Sequence, residues 1–394
     1  MVSTYISYIG INLLCIISGV IAEKKVQLIN AELSAGENFD AIELSHDDVM
    51  MMSRDSNEGF GFDFCPPKCQ CYNGGLINCS RLALISVPKL PQSAVSIDLS
   101  LNDIQHISDG SFKDLPSLTT VDLSGNKLNA ASFTNMSFAG SLSLQTLYLG
   151  YNNFHFVPQY LPKQILELAL YNNKIANMSL TSLTNYPSIK YLRLDNNMIT
   201  DVPGLLSQST PNLTQLDLSF NQITDAGIKV NSFKGLTKLR TLNFRFNQMT
   251  KIPSNLPTSL LHFDMVGNPI QVIQPYAFQH QTKLETLEIW QSGLKTISDN
   301  SFYGLGDLTI LDLMDCHVET KLTNKTLAGL SSVQTVDISL SNIPSIEVGA
   351  FKGLTALKQL WLNDNPLKTL PEGVFSHAFI PSISIIYLWG PMGV

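Results

Sequence analysis

What this chain lacks narrows its function before any motif is found. It contains no Gly-Lys dipeptide for a phosphate loop, no His-Glu-x-x-His and no Gly-x-Ser-x-Gly, so the common nucleotide, zinc-hydrolase and serine-hydrolase chemistries have no support. The seven histidines (His46, His106, His155, His262, His280, His317 and His377) are scattered and fit surface or packing roles. We expect no enzyme, no cofactor and no metal site. Charge is scarce, at 14% of residues, while 44% are hydrophobic. That balance suits a core of stacked Leu, Ile and Phe. Basic excess is missing as well: 25 Lys and Arg face 32 Asp and Glu, for a net charge of −7. A nucleic-acid partner, which needs cations against phosphate, is not expected.

Long apolar runs are confined to the start. Residues 1–22 (MVSTYISYIGINLLCIISGVIA) end in Val20-Ile21-Ala22 and are followed by Glu23-Lys24-Lys25. Small residues at the last and third-last places mark a signal peptide cleaved after Ala22, although no basic side chain precedes the run. No later stretch is long enough to span a bilayer, so no membrane insertion is expected after cleavage. Residues 23–64 hold ten acids against Lys24, Lys25 and Arg54, which accounts for the whole net charge of −7. With few aromatics and no repeat pattern, this segment reads as a disordered acidic arm.

Cysteine is sparse and clustered. Cys15 leaves with the signal peptide, Cys316 stands alone, and Cys65, Cys69, Cys71 and Cys79 are spaced C-x3-C-x-C-x7-C. Four clustered cysteines in an exported chain read as two disulfides with three possible pairings. They delimit a cysteine-rich N-terminal cap over 65–93.

What is abundant is one phrase. L-x-x-L-x-L-x-x-N-x-L recurs with its ladder position at Asn102, Asn126, Asn152, Asn173, Asn197, Asn221, Asn247, Asn268, Ser292, Cys316, Ser341 and Asn365. The gaps are 24, 26, 21, 24, 24, 26, 21, 24, 24, 25 and 24 residues. This is the period of a leucine-rich repeat solenoid. We therefore expect an α/β leucine-rich repeat fold over 94–375, a curved horseshoe of about 12 repeats with a parallel concave sheet and the N-terminal disulfide cap. Each L-x-L pair alternates as a short strand with one buried face demands. The ladder side chain leaves the strand where its amide can satisfy turn backbone groups. Phe112, Phe138, Phe233, Phe278, Phe302 and Phe351 each precede the next repeat by six residues and predict an inner spine on the return side. The two 21-residue units lack that Phe and read FHFVPQYLPKQI and MTKIPSNLPTSL, which favours extended returns. After Phe375 the phrase dissolves into SHAFIPSISIIYLWGPMGV. Residues 376–394 are read as an irregular apolar tail without a C-terminal cap, in an incomplete or alternatively spliced sequence.

The acidic arm, the cysteine spacing and the 21-residue units among longer ones together resemble the small leucine-rich proteoglycan family over about residues 65–375. The resemblance implies pairing of Cys65 with Cys71 and of Cys69 with Cys79. It also implies a secreted, extracellular-matrix glycoprotein whose partner is a matrix protein such as fibrillar collagen. Three departures stand out: the family's C-terminal disulfide and extended penultimate repeat are absent, and the arm has neither a Ser-Gly dipeptide nor a tyrosine.

A binding face can be read from the repeat register. The residue between the paired Leu positions faces the open side of the sheet, in the order Asp98, Asp122, Tyr148, Ala169, Arg193, Asp217, Asn243, Asp264, Glu288, Asp312, Asp337, Trp361. Neighbouring strands lie about 4.8 Å apart, so the run Asp264, Glu288, Asp312, Asp337 invites a cation or a basic partner. Trp290, Asp315, Trp361 and Asp364 flank it as candidate partner-binding residues, since aromatic anchors with matched charge make hot spots. Strand-spaced carboxylates lack the wrapped loop that calcium needs. The bland alternative is a solvated face that keeps the sheet soluble. Four sequons, at Asn135, Asn177, Asn212 and Asn324, are candidate glycan sites; Asn78 is left out because its middle residue is Cys79. The competing functional readings are a trap for a basic growth factor and a truncated receptor ectodomain.

Overall fold

The computed structural model describes residues 64–388 except 179 and 377. The signal peptide expected at 1–22, the acidic arm before Phe64, His377 and residues 389–394 lie outside the described residues.

The L-x-L alternation produces strands of three residues. In Thr120–Asp122 and Thr146–Tyr148 the middle residues, Val121 and Leu147, are fully buried and their neighbours face outward. Fifteen strands form one sheet. Its first pair, Gln70–Tyr72 and Leu76–Asn78, is antiparallel, and every later neighbour is parallel, as in Leu76–Asn78 beside Ser96–Asp98. A leucine-rich repeat solenoid is therefore what the chain forms. On the return side, Val272–Ile273 pairs with Thr296–Ile297. The other described returns are mostly turns, with short 3-10 segments such as Ala130–Ser132 and one helical turn, Leu180–Leu183.

The ladder asparagines tie each repeat to the one before. Asn221 Oδ1 accepts the Ile199 N–H at 2.9 Å, while its Nδ2 donates to the carbonyls of Leu194, Leu218 and Ser219 at 3.0, 3.1 and 3.0 Å. Asn126 and Asn152 repeat the scheme, accepting from Ile104 and Leu128. Buried backbone groups that would cost about 1–3 kcal/mol each if unpaired are satisfied in this way. The ladder thins where asparagine is lost. Ser292 Oγ meets only Cys316 Sγ, at 3.3 Å, and Ser341 Oγ donates to Leu313 O at 2.6 Å while accepting the Cys316 N–H at 3.3 Å. Cys316 is a buried free thiol, its pKa pushed up to about 11 by burial.

The residue before each ladder position turns left-handed in all twelve repeats, from Leu101 at φ 54° to Asp364 at 57°. Only Gly125 and Gly267 among them are glycines. At Leu101, Tyr151, Phe220, Phe246 and Leu340 a bulky side chain holds a conformation costing about 1 kcal/mol or more, and each is exposed.

On the return side the Phe spine forms as expected. Phe112 stacks on Phe138 at 5.2 Å and Phe278 on Phe302 at 6.4 Å, all buried. The Pro-rich short returns leave backbone groups that the next repeat satisfies. Tyr186, 1% exposed, donates its hydroxyl to Pro158 O at 2.7 Å and accepts the Leu161 N–H at 3.3 Å. Gln281 Nε2 does the same for Leu256 O at 3.2 Å in the second short unit.

Disulfides Cys65–Cys71 and Cys69–Cys79 close the N-terminal cap, in the pairing the family resemblance implied. The Cys79 N–H reaches Asp98 O at 2.7 Å and joins the cap to the first repeat. The expectation of an irregular tail is corrected. Ile385–Tyr387 pairs in parallel with Gln359–Trp361 as the fifteenth strand, and Ile380 is fully buried. Ile383, Ile386 and Leu388 supply a further L-x-x-L-x-L in which isoleucine replaces leucine, and no asparagine follows to mark it.

The unequal ladder predicts unequal sensitivity. Asn221→Ala strands several buried backbone groups and should cost about 2–4 kcal/mol, whereas Ser292→Ala should cost about 1 kcal/mol or less. Urea midpoints, with amide exchange at Ile199 as a local monitor, check this; equal losses would refute the ranking.

Candidate binding face of the sheet

The register places the acidic row as neighbours. Asp264 lies beside Glu288, Glu288 beside Asp312, Asp312 beside Asp337, and Asp337 beside Trp361. Two features of that row escaped the reading of the sequence.

First, the aspartates are anchored to the backbone. Asp122, Asp264, Asp312 and Asp337 accept through Oδ1 the N–H two residues on, from Ser124, Val266, Met314 and Ser339, at 2.7 to 2.9 Å. Asp98, Asp217 and Asn243 do likewise. A short carboxylate or amide closes this turn. Aspartate therefore recurs here for the fold, with its second oxygen left to the open face. Glu288, one methylene longer, reaches sideways instead.

Second, Arg245 lies among these acids. Its Nε donates to Asp264 Oδ2 at 2.9 Å and its Nη2 to Glu288 Oε2 at 3.1 Å, with the guanidinium over Trp290 at 5.2 Å. The expected line of four acids awaiting a cation is thus revised: the chain supplies one itself, at the first two. Arg245 comes two residues after Asn243, and side chains two apart share a strand face. Counting one residue per repeat missed it. Trp290 occupies the same place in its repeat, two after Glu288.

A smaller cluster repeats the arrangement. The Arg193 guanidinium sits over Tyr171 at 4.8 Å and its Nε lies 3.3 Å from Asp195 Oδ1. Burial raises the pKa of Tyr171 and, helped by the Asp195 charge, that of Asp217. Exposed aromatics border the cluster: Tyr151 meets Tyr171 edge-on at 5.5 Å, and Phe220 stacks on Phe246 at 4.7 Å.

The remaining candidates are placed unevenly. Burial lifts the carboxyl of Asp312 to about pKa 6, and the neighbouring charges of Asp337 and Glu288 push the same way. Burial raises Asp315 too. Asp315 and Asp364 both occupy left-handed turn positions, and Asp364 accepts from Asn363 Nδ2 at 3.0 Å. Trp361 stacks on Tyr387 at 3.6 Å, so one face of its ring is already covered. Among the described residues no group of three or more His, Cys, Asp or Glu side chains is arranged to hold a metal ion.

Comparison with known proteins sharpens the family reading. The "Leucine rich repeat" family model matches residues 92–154, "Leucine Rich repeats (2 copies)" matches 211–258, and "BspA type Leucine rich repeat region (6 copies)" matches 271–387. Lumican of Bos taurus is 30% identical over 282 residues, covering 71% of each chain. The chain belongs to the small leucine-rich proteoglycan family. Podocan of Mus musculus, 24% identical, covers 87% of this family member and 68% of its own length. Toll-like receptor 9 of Homo sapiens is 28% identical, but only 34% of it is covered. Among solved structures, the TLR13–ssRNA13 complex superposes with a TM-score of 0.63 at 21% identity, covering 80% of this chain and 50% of that one. That likeness shows the solenoid fold alone.

In this small leucine-rich proteoglycan, Asn135, Asn177 and Asn324 are exposed. Asn212 is half-buried, donating to Pro187 O at 3.1 Å and accepting from Lys238 Nζ at 2.7 Å. The excluded Asn78 has its oxygen taken by the Ser80 N–H and hydroxyl, and Cys79 is in a disulfide.

The Asp312 environment sets a pH dependence. Its folded pKa of about 6 lies above the ordinary 3.8, so the ionised form is penalised in the folded state. Its contribution to stability therefore grows as pH falls through about 6 and levels off below the unfolded value. Asp312→Asn keeps an acceptor for the Met314 N–H but loses the charge. It should unfold at higher urea than the parent at about pH 7 and at nearly the same urea at about pH 4; a constant difference would refute the assignment.

Proposed function

We propose that this chain is a secreted extracellular-matrix glycoprotein that binds matrix proteins through the open face of its sheet, with fibrillar collagen as partner and fibril assembly as the process it modulates. Family membership supports a matrix role. The observation that carries the choice of face is the Arg245 cluster: a guanidinium stacked on Trp290 and held by Asp264 and Glu288. An Arg and a Trp immobilised by their own neighbours lose little side-chain entropy on binding and are the residue types that dominate interface energetics. The second cluster at Arg193 and Tyr171 extends the same surface across the preceding strands.

A second reading has its own support. Asp312 and Asp337 are not among the carboxylates that Arg245 contacts, and Asp315 is nearby in the same repeat as Asp312. An acidic end of this kind suits a basic growth factor, with association weakened by salt.

A solid-phase assay with triple-helical collagen separates these readings. Because the aspartates also brace the turns, the informative variant is Arg245→Ala with Trp290→Ala, checked for retained fold by circular dichroism. Binding to collagen should weaken about tenfold or more, with a matching loss of effect on fibril turbidity. Undiminished collagen binding would remove this face from the proposal. Salt-sensitive binding to a basic growth factor, with none to collagen, would favour the trap.

A further inference from the structure

Residues 65–394 carry no net charge, so the acids gathered on the open face leave an excess of bases elsewhere. Part of that excess lies on one edge of the sheet, where the chain enters the strands. Between residues 168 and 284 the acids are Asp195, Asp201, Asp217, Asp225 and Asp264. Asp195, Asp217 and Asp264 belong to the open face. Asp201 and Asp225 follow ladder positions, beyond the exit ends of the strands. Asp201 is paired there with Lys229 at 3.1 Å, and Asp225 accepts the Thr250 N–H at 3.0 Å. The entry edge over this stretch has bases and no acid.

The register fixes its layout. The residue just before each strand is, in turn, Lys190, Thr214, Arg240, Leu261 and Glu285. The carbonyl of each accepts an N–H from the next, as Lys190 O does from Thr214 and Arg240 O from Leu261, both at 2.8 Å. Two residues earlier the row is Ser188, Asn212, Lys238, Ser259 and Lys283. Lys238 Nζ donates along this row to Asn212 Oδ1 at 2.7 Å. Lys190, Lys238, Arg240 and Lys283 are exposed, and among the described residues none of them is in an ion pair. Lys190 and Arg240 are two strands apart, as are Lys238 and Lys283, so in each row the charge repeats after about 10 Å. Glu285 and Asp307 take the next place in each row and end the stripe.

Unpaired cations at a fixed interval along a line suit a linear polyanion. Two observations choose among polyanions. The rows hold no aromatic side chain on which bases could stack, the grip that single-stranded nucleic acid commonly receives. They do hold hydroxyls already committed as donors: Thr214 to Lys190 O at 2.9 Å and Ser259 to Leu239 O at 2.7 Å. Such a hydroxyl keeps lone pairs for a donor on the ligand, and the free hydroxyls of a sugar are donors. We propose that this edge binds a sulfated polysaccharide of the extracellular space, laid across the strand entries with its sulfates on Lys190, Lys238, Arg240 and Lys283. The site is separate from the open face, so one molecule can hold a protein partner and a polysaccharide together. It rests on the reading of the chain as exported.

The test is retention of the full chain on immobilised heparin at about 0.15 M salt, with desulfated heparin and single-stranded RNA as comparisons. The parent should be retained by heparin. Lys190→Gln with Lys238→Gln, Arg240→Gln and Lys283→Gln should bind about tenfold more weakly or worse, at an unchanged urea midpoint. Lys113→Gln with Lys325→Gln, Lys352→Gln and Lys368→Gln removes as much exposed charge from other places and should bind as the parent does. Arg245→Ala with Trp290→Ala, aimed at the open face, should keep heparin binding, so the two surfaces fail separately. A glycan at Asn212 would share the stripe, so Asn212→Gln should bind as tightly as the parent or tighter. A parent that is not retained overturns the proposal, as do equal losses in the stripe and control variants. Equal retention on desulfated heparin, or tighter binding of RNA, overturns the choice of ligand.

Discussion

The structure depends on a side-chain amide that acts as backbone. A three-residue strand followed by a sharp exit leaves carbonyls and N–H groups that neither the sheet nor solvent can satisfy. In nine of the twelve repeats an asparagine bonds its own turn and the turn before it, as Asn221 does with Leu218 and Leu194. Because those bonds cross between repeats, stability is communicated from neighbour to neighbour and not through a central core. The left-handed residue before each ladder position is tied to the next repeat by its own backbone, as Tyr151 N–H is to Tyr171 O and Phe246 N–H to Val266 O, and it keeps that conformation at Gln291, Asp315 and Leu340, where no asparagine follows.

The open face inherits its order from this framework. The aspartates of the row close turns with one oxygen and display the other, so their spacing is that of the strands. Onto this regular array two arginines impose local detail, each stacked on an aromatic ring and pinned by a carboxylate. The result is a surface of rigid, paired charges and not a uniform acidic field. Pre-organisation of this kind limits what a partner must order on arrival.

Much of this was legible in the residues. The ladder, the short strands, the Phe spine and the disulfide cap follow from spacing, because a solenoid translates sequence period into position with little interference from distant parts of the chain. What escaped reading has specific causes. Arg245 was hidden because a strand face is sampled every second residue and only one position per repeat was counted. The dual role of Asp264 and Asp312 depends on a side chain reaching its own backbone two residues on, which looks identical to exposure in a pattern. The strand at Ile385–Tyr387 was missed because isoleucines stand for leucines there and no asparagine follows. Tyr186 and Gln281, which satisfy the Pro-rich returns, belong to the next repeat and leave no local signature.

The three ladder substitutions, Ser292, Cys316 and Ser341, belong to the same repeats as Glu288, Asp312 and Asp337. Considered as a spring, the solenoid therefore has coils of unequal stiffness, and its softest consecutive coils lie under the acidic part of its open face. Tension along the stack of repeats would be taken up there first. Strand spacing, and with it the separation of the carboxylates, would change at that point before the Arg193 region felt any load.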